Sequence, residues 1–408
     1  MQDRFTGLDV HKQFVVGTTL DGDGNTLREF RFETTPQALR EFAQQLESRD
    51  AVCLESTTNA VPIYRLLAQF AGRVVISNPL KTKVIAEGKI KTDKVDSRAL
   101  ADLLRSKYLP DVWVPDEATL RLRSVSSYRL ALVRQRTQVK NRIHALLHRN
   151  LVPLPEISDL FGNHGRQFLQ TVELPEDDRL QLEQELALLG VLDAQIEQAD
   201  QRLAKAAVDD PRAELLLTIP GVSQQVAVGL LAAVGTIERF RSPKKLVSYL
   251  GLDPLGKRSA GHLFGPTRIS KQGRSHARWL LIEAATAAVR VPGPIQSFYV
   301  RLRKKKGHSK AVVAAARKLA CLVWKILKFG EPYAWAPPVQ THEKIRRMQI
   351  LAGQPKQRSG AKKGQPSQGG KAAYRDRRRA DHNLARLAQA QYEELVKQRA
   401  AAEAGGAS

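Results

Sequence analysis

Phe5-Thr6-Gly7-Leu8-Asp9-Val10 opens a stretch that reads as a strand as far as Leu20, and Asp21-Gly22-Asp23-Gly24-Asn25 then supplies turn chemistry before a returning strand, Thr26 to Glu33. Working outward from this hairpin, a helical stretch from Pro36 to Glu47 leads to the short apolar strand Ala51 to Leu54. A helix from about Pro62 to Phe70 and a strand from Arg73 to Ser77 follow. A hairpin followed by alternating strand and helix predicts an α/β layer built on a mixed sheet. Helical spacing of Val95, Ala99 and Leu103 predicts a further helix from about Thr92 to Arg105, and the Pro110 to Pro115 stretch closes this domain.

Beyond it the pattern changes. No acidic residue falls between Glu117 and Glu156, while Leu122, Val125, Leu132, Val139, Ile143 and Leu146 project from about a third of a helical circumference. That is a long helix with one apolar stripe and a basic remainder. A second long helix repeats Leu182, Leu189, Ile196 and Leu203 every seventh residue, with Leu186 and Ala199 between them, so the two can pair with each other or with another subunit. A helix-rich segment punctuated by glycines runs to about Pro337, and residues from about Gly353 to Arg379 hold too little apolar surface to offset the entropy of ordering. The expected organisation is therefore an α/β domain over 1–117, a helical coiled-coil region over 118–206, a mostly α-helical domain over 207–337, and a basic, largely disordered tail over 338–408 with a short helix from about Asn383 to Arg399.

The charge balance narrows the function. Lysine plus arginine number 65 against 41 acidic residues, a formal charge of +24 that favours a polyanionic partner, of which nucleic acid is the commonest. Cys53 and Cys321 stand alone in apolar runs, without the spacing of a zinc site or a disulfide framework, as expected of core thiols in a reducing cytoplasm. The most apolar late run, Ala311 to Leu327, carries Arg317, Lys318 and Lys325, so no membrane association is expected.

Four carboxylates carry the candidate chemistry. Asp9 ends an apolar strand segment, where a lone charge needs a partner or a cation, and Glu55 follows Val52-Cys53-Leu54 at the end of a second strand. Asp93 and Asp96, three apart at a helix start, lie on one face about 60° apart. Each also has a structural reading, Asp9 as a strand-end aspartate and the helical pair as acids favoured by the helix dipole. Together they match what a two-metal phosphoryl-transfer site requires, and magnesium prefers such hard oxygen donors. His11 and His262 lie near these segments without a spacing that supports a metal or acid-base role.

The segments Gly7-Leu8-Asp9-Val10-His11-Lys12, Leu54-Glu55-Ser56-Thr57 and Lys91-Thr92-Asp93-Lys94-Val95-Asp96-Ser97-Arg98-Ala99-Leu100-Ala101 resemble those of the DEDD transposases of bacterial insertion sequences, the insertion-sequence one-ten and eleven-eleven family, with Piv-type invertases among its relatives. The resemblance implies a RuvC-like, RNase H-type first domain in which Asp9, Glu55, Asp93 and Asp96 bind two Mg2+ ions. The stretch Tyr249 to Pro254 followed by Gly265-Pro266-Thr267-Arg268-Ile269-Ser270-Lys271-Gln272-Gly273 resembles the family's second transposase domain. There a loop serine attacks DNA phosphate, and the position that matches is Ser259, with Ser270 as the other candidate. Arg268, Lys271, Arg274 and Arg278, beside or near glycines, are candidate contacts to nucleic-acid backbone. The turn Thr218-Ile219-Pro220-Gly221-Val222 before a helix from Gln225 to Val234 can hold a phosphate on helix N-terminal amides or simply join two helices. The resemblance further implies a DNA substrate, a noncoding bridge RNA as guide, a homo-oligomer (dimer or tetramer), and residence in the bacterial cytoplasm with the nucleoid.

Three other functions compete. A Holliday-junction nuclease would use the same carboxylates with water and need no serine. An actin-like ATPase would need a second phosphate-binding glycine turn, which is missing from the sequence. A non-enzymatic RNA- or DNA-binding protein would use the charge but leave the four carboxylates unexplained.

Overall fold

A computed structural model of the chain describes residues 3–79, 81–82, 92–259, 262–356 and 371–405. It divides into two units, Met1–Pro115 and Asp116–Ser408. The first unit contains β1 (Arg4–Val10), β2 (Phe14–Leu20), β3 (Thr26–Glu33), α1 (Pro36–Ala43), β4 (Asp50–Glu55), α2 (Ala60–Leu67), β5 (Arg73–Ser77) and α3 (Asp93–Arg105). Its sheet runs in the order β3-β2-β1-β4-β5, antiparallel across β1, β2 and β3 and parallel across β1, β4 and β5. The mixed sheet agrees with the sequence reading in all but one respect. The stretch from Phe5 to Leu20 is two strands, because the chain reverses at residues 11–13, where the His11 N–H donates to the Phe14 carbonyl at 2.9 Å. Sixteen residues exceed an ordinary strand, and His11-Lys12-Gln13 contains none of the glycine, proline or asparagine that usually announces a turn.

Alternation along the strands sorts the two faces. Leu8, Val10, Val52, Leu54 and Ile76 face α1 and α2, while Ala51, Cys53 and Val75 pack with Leu100 and Leu104 of α3. The sheet is thus covered on both sides, and the helix that carries Asp93 and Asp96 lies across one of them.

In the second unit, α4 (Glu117–Arg149), α5 (Asn163–Thr171) and α6 (Glu176–Ala207) share one core. Leu132, Val139, Ile143 and Leu146 of α4 meet Leu182, Leu189 and Ile196 of α6, so the two apolar stripes cover each other within the chain. The pairing is antiparallel, and its register is fixed by four ion pairs in step: Arg129 with Asp200, Arg136 with Asp193, Arg142 with Glu185 and Arg149 with Asp178. Arg129 and Asp200 are mostly buried while Arg142 and Arg149 are exposed, and a slipped register would break all four pairs at once. Four of the eight Lys and Arg residues of α4 are therefore balanced by acids of α6, which the sequence of α4 taken alone does not reveal.

The remaining helices, α7 (Pro211–Leu217), α8 (Gln224–Val234), α9 (Pro243–Tyr249), α10 (Ser275–Ala288), α11 (Pro294–Lys306) and α12 (His308–Phe329), bury a continuous core around α8 and α12. Between α9 and α10 lies a two-stranded hairpin, β6 (Pro254–Ser259) and β7 (His262–Ile269), where the resemblance implied a loop carrying the serine. Gly221 turns with φ +81°, and a Cβ there would sit 2.2 Å from the Ala284 carbonyl oxygen. Ile219 and Val222 on either side are fully buried, and the Val222 amide donates to the Ile219 carbonyl at 3.2 Å, so this turn joins two helices and packs against α10.

The segment after Pro337 departs from the expectation of disorder: α13 (Pro338–Leu351) and α14 (Lys371–Gly405) are helices, and residues 357–370 of the Gly- and Gln-rich stretch lie outside the described residues. Composition misses the reason. Asp381, Ala385 and Ala388, spaced i, i+4 and i+7, form one buried stripe on an otherwise polar helix. Asp381 also accepts from the Val339 and Gln340 amides at 3.2 and 3.0 Å, capping α13 from outside. Replacing Asp381 with Ala is expected to cost about 1 kcal/mol, the usual value of a helix N-cap. Limited proteolysis should then cut α14 faster than in the parent chain; unchanged cutting would mean the cap does not hold the tail.

Candidate active site

The site grows from the register of two parallel strands. Leu8 pairs with Leu54, so the next residues, Asp9 and Glu55, leave adjacent strand ends side by side on the opposite face, the one covered by α3. What brings α3 close is a missing side chain. A Cβ on Gly7 would lie 2.1 Å from the Ser97 carbonyl oxygen and 2.6 Å from the Ala101 nitrogen. The helix therefore rests directly on the backbone of β1. Two buried polar contacts lock it there: the Ser97 and Thr18 hydroxyls meet at 2.8 Å, and the Cys53 thiol donates to the Leu100 carbonyl at 3.2 Å. Ser97 is one helical turn beyond Asp93, so seating Ser97 over Gly7 delivers Asp93 to the end of β1. Thr92 caps the helix by accepting from the Val95 amide at 3.3 Å, and Asp93 and Asp96 fill its first turn, where the helix dipole favours negative charge.

Between the two aspartates stands His11. Its Nε2 lies 3.1 Å from Asp9 Oδ2 and 3.4 Å from Asp93 Oδ1, with side-chain exposures of 38% for His11, 19% for Asp9 and 47% for Asp93. Burial pushes the Asp9 carboxyl above the ordinary aspartate range; the neighbouring His11 opposes that shift, and the charges of Asp93 and Asp96 add to it. Negative charge is therefore concentrated where solvent screens it poorly, a condition that a bound cation relieves.

The donors fit such an ion. One ligand atom each from Asp9, His11 and Asp93 lie within 4.8 Å of one another. Two carboxylates suit magnesium, and an imidazole nitrogen adds a ligand that manganese accepts more readily. Ser77, the register partner of Glu55 on β5, has a fully buried hydroxyl with no hydrogen-bond partner among the described residues, a further polar atom on this face. Of the four predicted carboxylates, Asp9 and Asp93 converge, Glu55 is placed beside Asp9 by register, and exposed Asp96 acts on Asp9 through its charge. His11 was the residue left out. The signal for it was present, since positions two apart at a strand end point to one face and Asp9 and His11 are two apart.

The other predicted residues belong to the second unit. Ser259 is the last residue of β6, paired with His262, and the tip it leads to, residues 260–261, lies outside the described residues. Ser270 is already engaged, its hydroxyl donating to Asp253. Arg268 is exposed at the end of β7, and Lys271 takes a positive φ of 55°. Arg274 donates to the Tyr249 hydroxyl at 3.1 Å, and Arg278 donates to the Leu250 and Lys271 carbonyls, each at 3.2 Å. Arg278 thus ties two loops together, whereas Arg268 and Lys271 remain available at the surface.

Comparison with known proteins finds two matching family models. A DEDD transposase family model matches residues 6–151, and a model described as the transposase IS116/IS110/IS902 family matches residues 213–300, together more than half of the chain. An insertion element IS116 protein of 44.8 kDa from Streptomyces clavuligerus is 25% identical across 82% of this chain and 97% of its own length. The transposase of insertion sequence IS1328 from Yersinia enterocolitica is 27% identical across 80% of this chain and 98% of its own. A pilin gene-inverting protein from Moraxella bovis is 30% identical over 124 residues, which is 30% of this chain and 38% of that protein.

An α/β domain with converging acids, followed by a helical unit with its own family match, makes this an enzyme of DNA recombination. The chain belongs to the IS110 family of insertion-sequence transposases. No helix among the described residues is long and apolar enough to cross a membrane.

Two measurements test the geometry. Gly7→Ala must push α3 off β1 against backbone atoms, at an expected cost of about 1–3 kcal/mol in denaturant unfolding together with loss of divalent-cation binding; wild-type cation affinity in a folded variant would contradict the contact. Asp9→Asn should raise the melting temperature at neutral pH in the absence of divalent ions. A carboxyl whose folded pKa is raised is ionised at a cost that is present above that pKa and relieved as pH falls through it, so the gain should vanish toward acid pH. A melting temperature unchanged at neutral pH would show that Asp9 carries no such cost.

Proposed function

We propose that this chain is the recombinase of an insertion sequence, excising and inserting DNA by Mg2+-dependent phosphoryl transfer with Ser259 as the nucleophile. The observation that carries the reading is the convergence of Asp9, His11 and Asp93 at the end of β1, with Glu55 on the adjoining strand. The sheet order β3-β2-β1-β4-β5, with acids at parallel strand ends, supports a RuvC-like, RNase H-type first domain.

Divalent ions, when bound, supply charge stabilisation to a transferring phosphate. Asp9, Glu55, Asp93 and Asp96 are the residues that would hold them, with His11 orienting Asp9 and Asp93. In the proposed step the Ser259 Oγ–P bond forms as a DNA P–O ester bond breaks. The serine proton passes to a base, and the leaving oxygen takes one up. Ester is exchanged for ester, so phosphodiester energy is kept without ATP. Arg268, Lys271 and Arg274 would contact the DNA backbone, and Arg278 would keep their loop in place.

A noncoding bridge RNA as guide and a homo-oligomeric assembly are parts of the same proposal. The formal charge of +24 supports the first. Exposed Leu180, Leu188 and Val191 on α6 support the second, now that the heptad stripes are seen to be used within the chain.

The test is to trap a denaturation-resistant protein–DNA adduct from element-end DNA, Mg2+ and the RNA that copurifies with the protein. Wild type should form it, Ser259→Ala should form none, and Asp93→Asn should lose at least roughly 100-fold, the scale of removing one preorganised electrostatic group. Mg2+-dependent cutting that survives Ser259→Ala without an adduct would replace this reading with a water-using nuclease.

A further inference from the structure

Six of the chain's 24 aromatic side chains line one cleft of about 590 Å³ in the second unit, bounded by α11, α12, the Glu331–Trp335 turn and α14. Trp324 is fixed as a wall, its indole N–H donating to the Phe240 carbonyl at 2.9 Å. Phe298 and Trp335 supply further ring surface. Lys318 and Lys325, seven apart and so on one face of α12, are exposed at the same cleft, and the Lys318 ammonium lies 5.4 Å from the Phe298 ring centre.

The cleft does not end there. Tyr392 of α14 is shared with an adjoining groove between α11 and α14, lined by Arg301, Lys304, Lys305 and Lys397 with one acid, Glu393, which accepts from Ser297, and the Arg301 guanidinium reaches the Tyr392 hydroxyl at 3.5 Å. An aromatic cavity large enough for a nucleoside thus adjoins a mainly basic groove, the two sharing Tyr392. Aromatic faces that stack bases beside cations that follow a phosphodiester backbone are the two parts of a single-strand binding site. None of these residues is among the candidate catalytic residues Asp9, Glu55, Asp93, Asp96 and Ser259.

We propose that this cleft and groove bind an unpaired DNA strand, with a base stacked among Phe298, Trp324 and Trp335 and its neighbouring phosphates along Arg301, Lys304 and Lys305. DNA is the occupant favoured because recombination of DNA is the family's activity and breaking strands leaves unpaired ends. The inference rests on that reading of the family but not on the proposed catalytic step.

The full-length chain is titrated in EDTA, so that catalysis plays no part, with a fluorescein-labelled 12-nucleotide thymidine strand, the matching duplex and the uridine RNA. Anisotropy and tryptophan quenching are read together. The single DNA strand should bind most tightly and quench tryptophan. Trp335→Ala and the double change Lys304→Glu with Lys305→Glu should each weaken it roughly 10-fold or more, while Trp335→Phe keeps most of the affinity. Circular dichroism and melting of each variant separate lost binding from lost folding. Equal affinity for duplex, binding unmoved in folded variants, or a preference for the RNA would each overturn the proposal. Loss of adduct formation by Ser259→Ala bears on the catalytic reading alone.

Discussion

Everything at the acidic site depends on one close approach, the helix α3 lying on bare backbone at Gly7. A strand and a helix packed through ordinary side chains are too far apart for acids from both to share a cation. Removing a single Cβ lets the Ser97 carbonyl reach the strand, and Asp93, one turn earlier, then meets Asp9 through His11. The buried Ser97–Thr18 and Cys53–Leu100 contacts keep the helix from sliding along its axis. A slide of one residue would carry Asp93 about 1.5 Å along the axis and swing it about 100° around it, enough to dissolve the cluster. Glycine here supplies space and no unusual backbone angle.

This arrangement is built at a cost. Asp9 is half-buried beside two further acids, and its raised pKa records how poorly the folded chain tolerates its charge. His11 offsets part of that by standing between the two carboxylates, 3.1 Å from Asp9 and 3.4 Å from Asp93. Excess negative charge held on rigid elements is a strain that a bound cation would relieve.

Much of this was legible in the sequence, and the failures have physical causes. Strand, helix and acid positions followed from periodicity and from the family motifs, because Gly7-Leu8-Asp9 and Thr92-Asp93-Lys94-Val95-Asp96 are local patterns. The turn at residues 11–13 was missed because its side chains are not turn formers, and with it went the register that puts His11 back over Asp9. The helices after Pro337 were missed for a different reason. Composition averages over a window, whereas Asp381, Ala385 and Ala388 are three positions on one face that suffice to dock α14. The β6–β7 hairpin was hidden because each of its strands carries a proline and a glycine, residues that argue against a strand in sequence.

The charge of the chain looked uniform in sequence and is divided in the fold. Some arginines are tied up within the fold: four pair with acids of α6, and half-buried Arg123 and Arg239 donate to carbonyls at the C-terminal end of α8 around Tyr249. Burial lowers the Arg123 guanidinium to about 10, so even this strong base feels the lack of water. A planar fork of donors satisfies several carbonyl or carboxylate oxygens at once, which is why arginine takes these places. Lysines cannot do so as well, and Lys304, Lys305, Lys318 and Lys325 remain exposed around the aromatic cleft. The net charge therefore counts guanidiniums held on carbonyls inside the fold together with the cations that a polyanion meets, among them the lysines of this cleft.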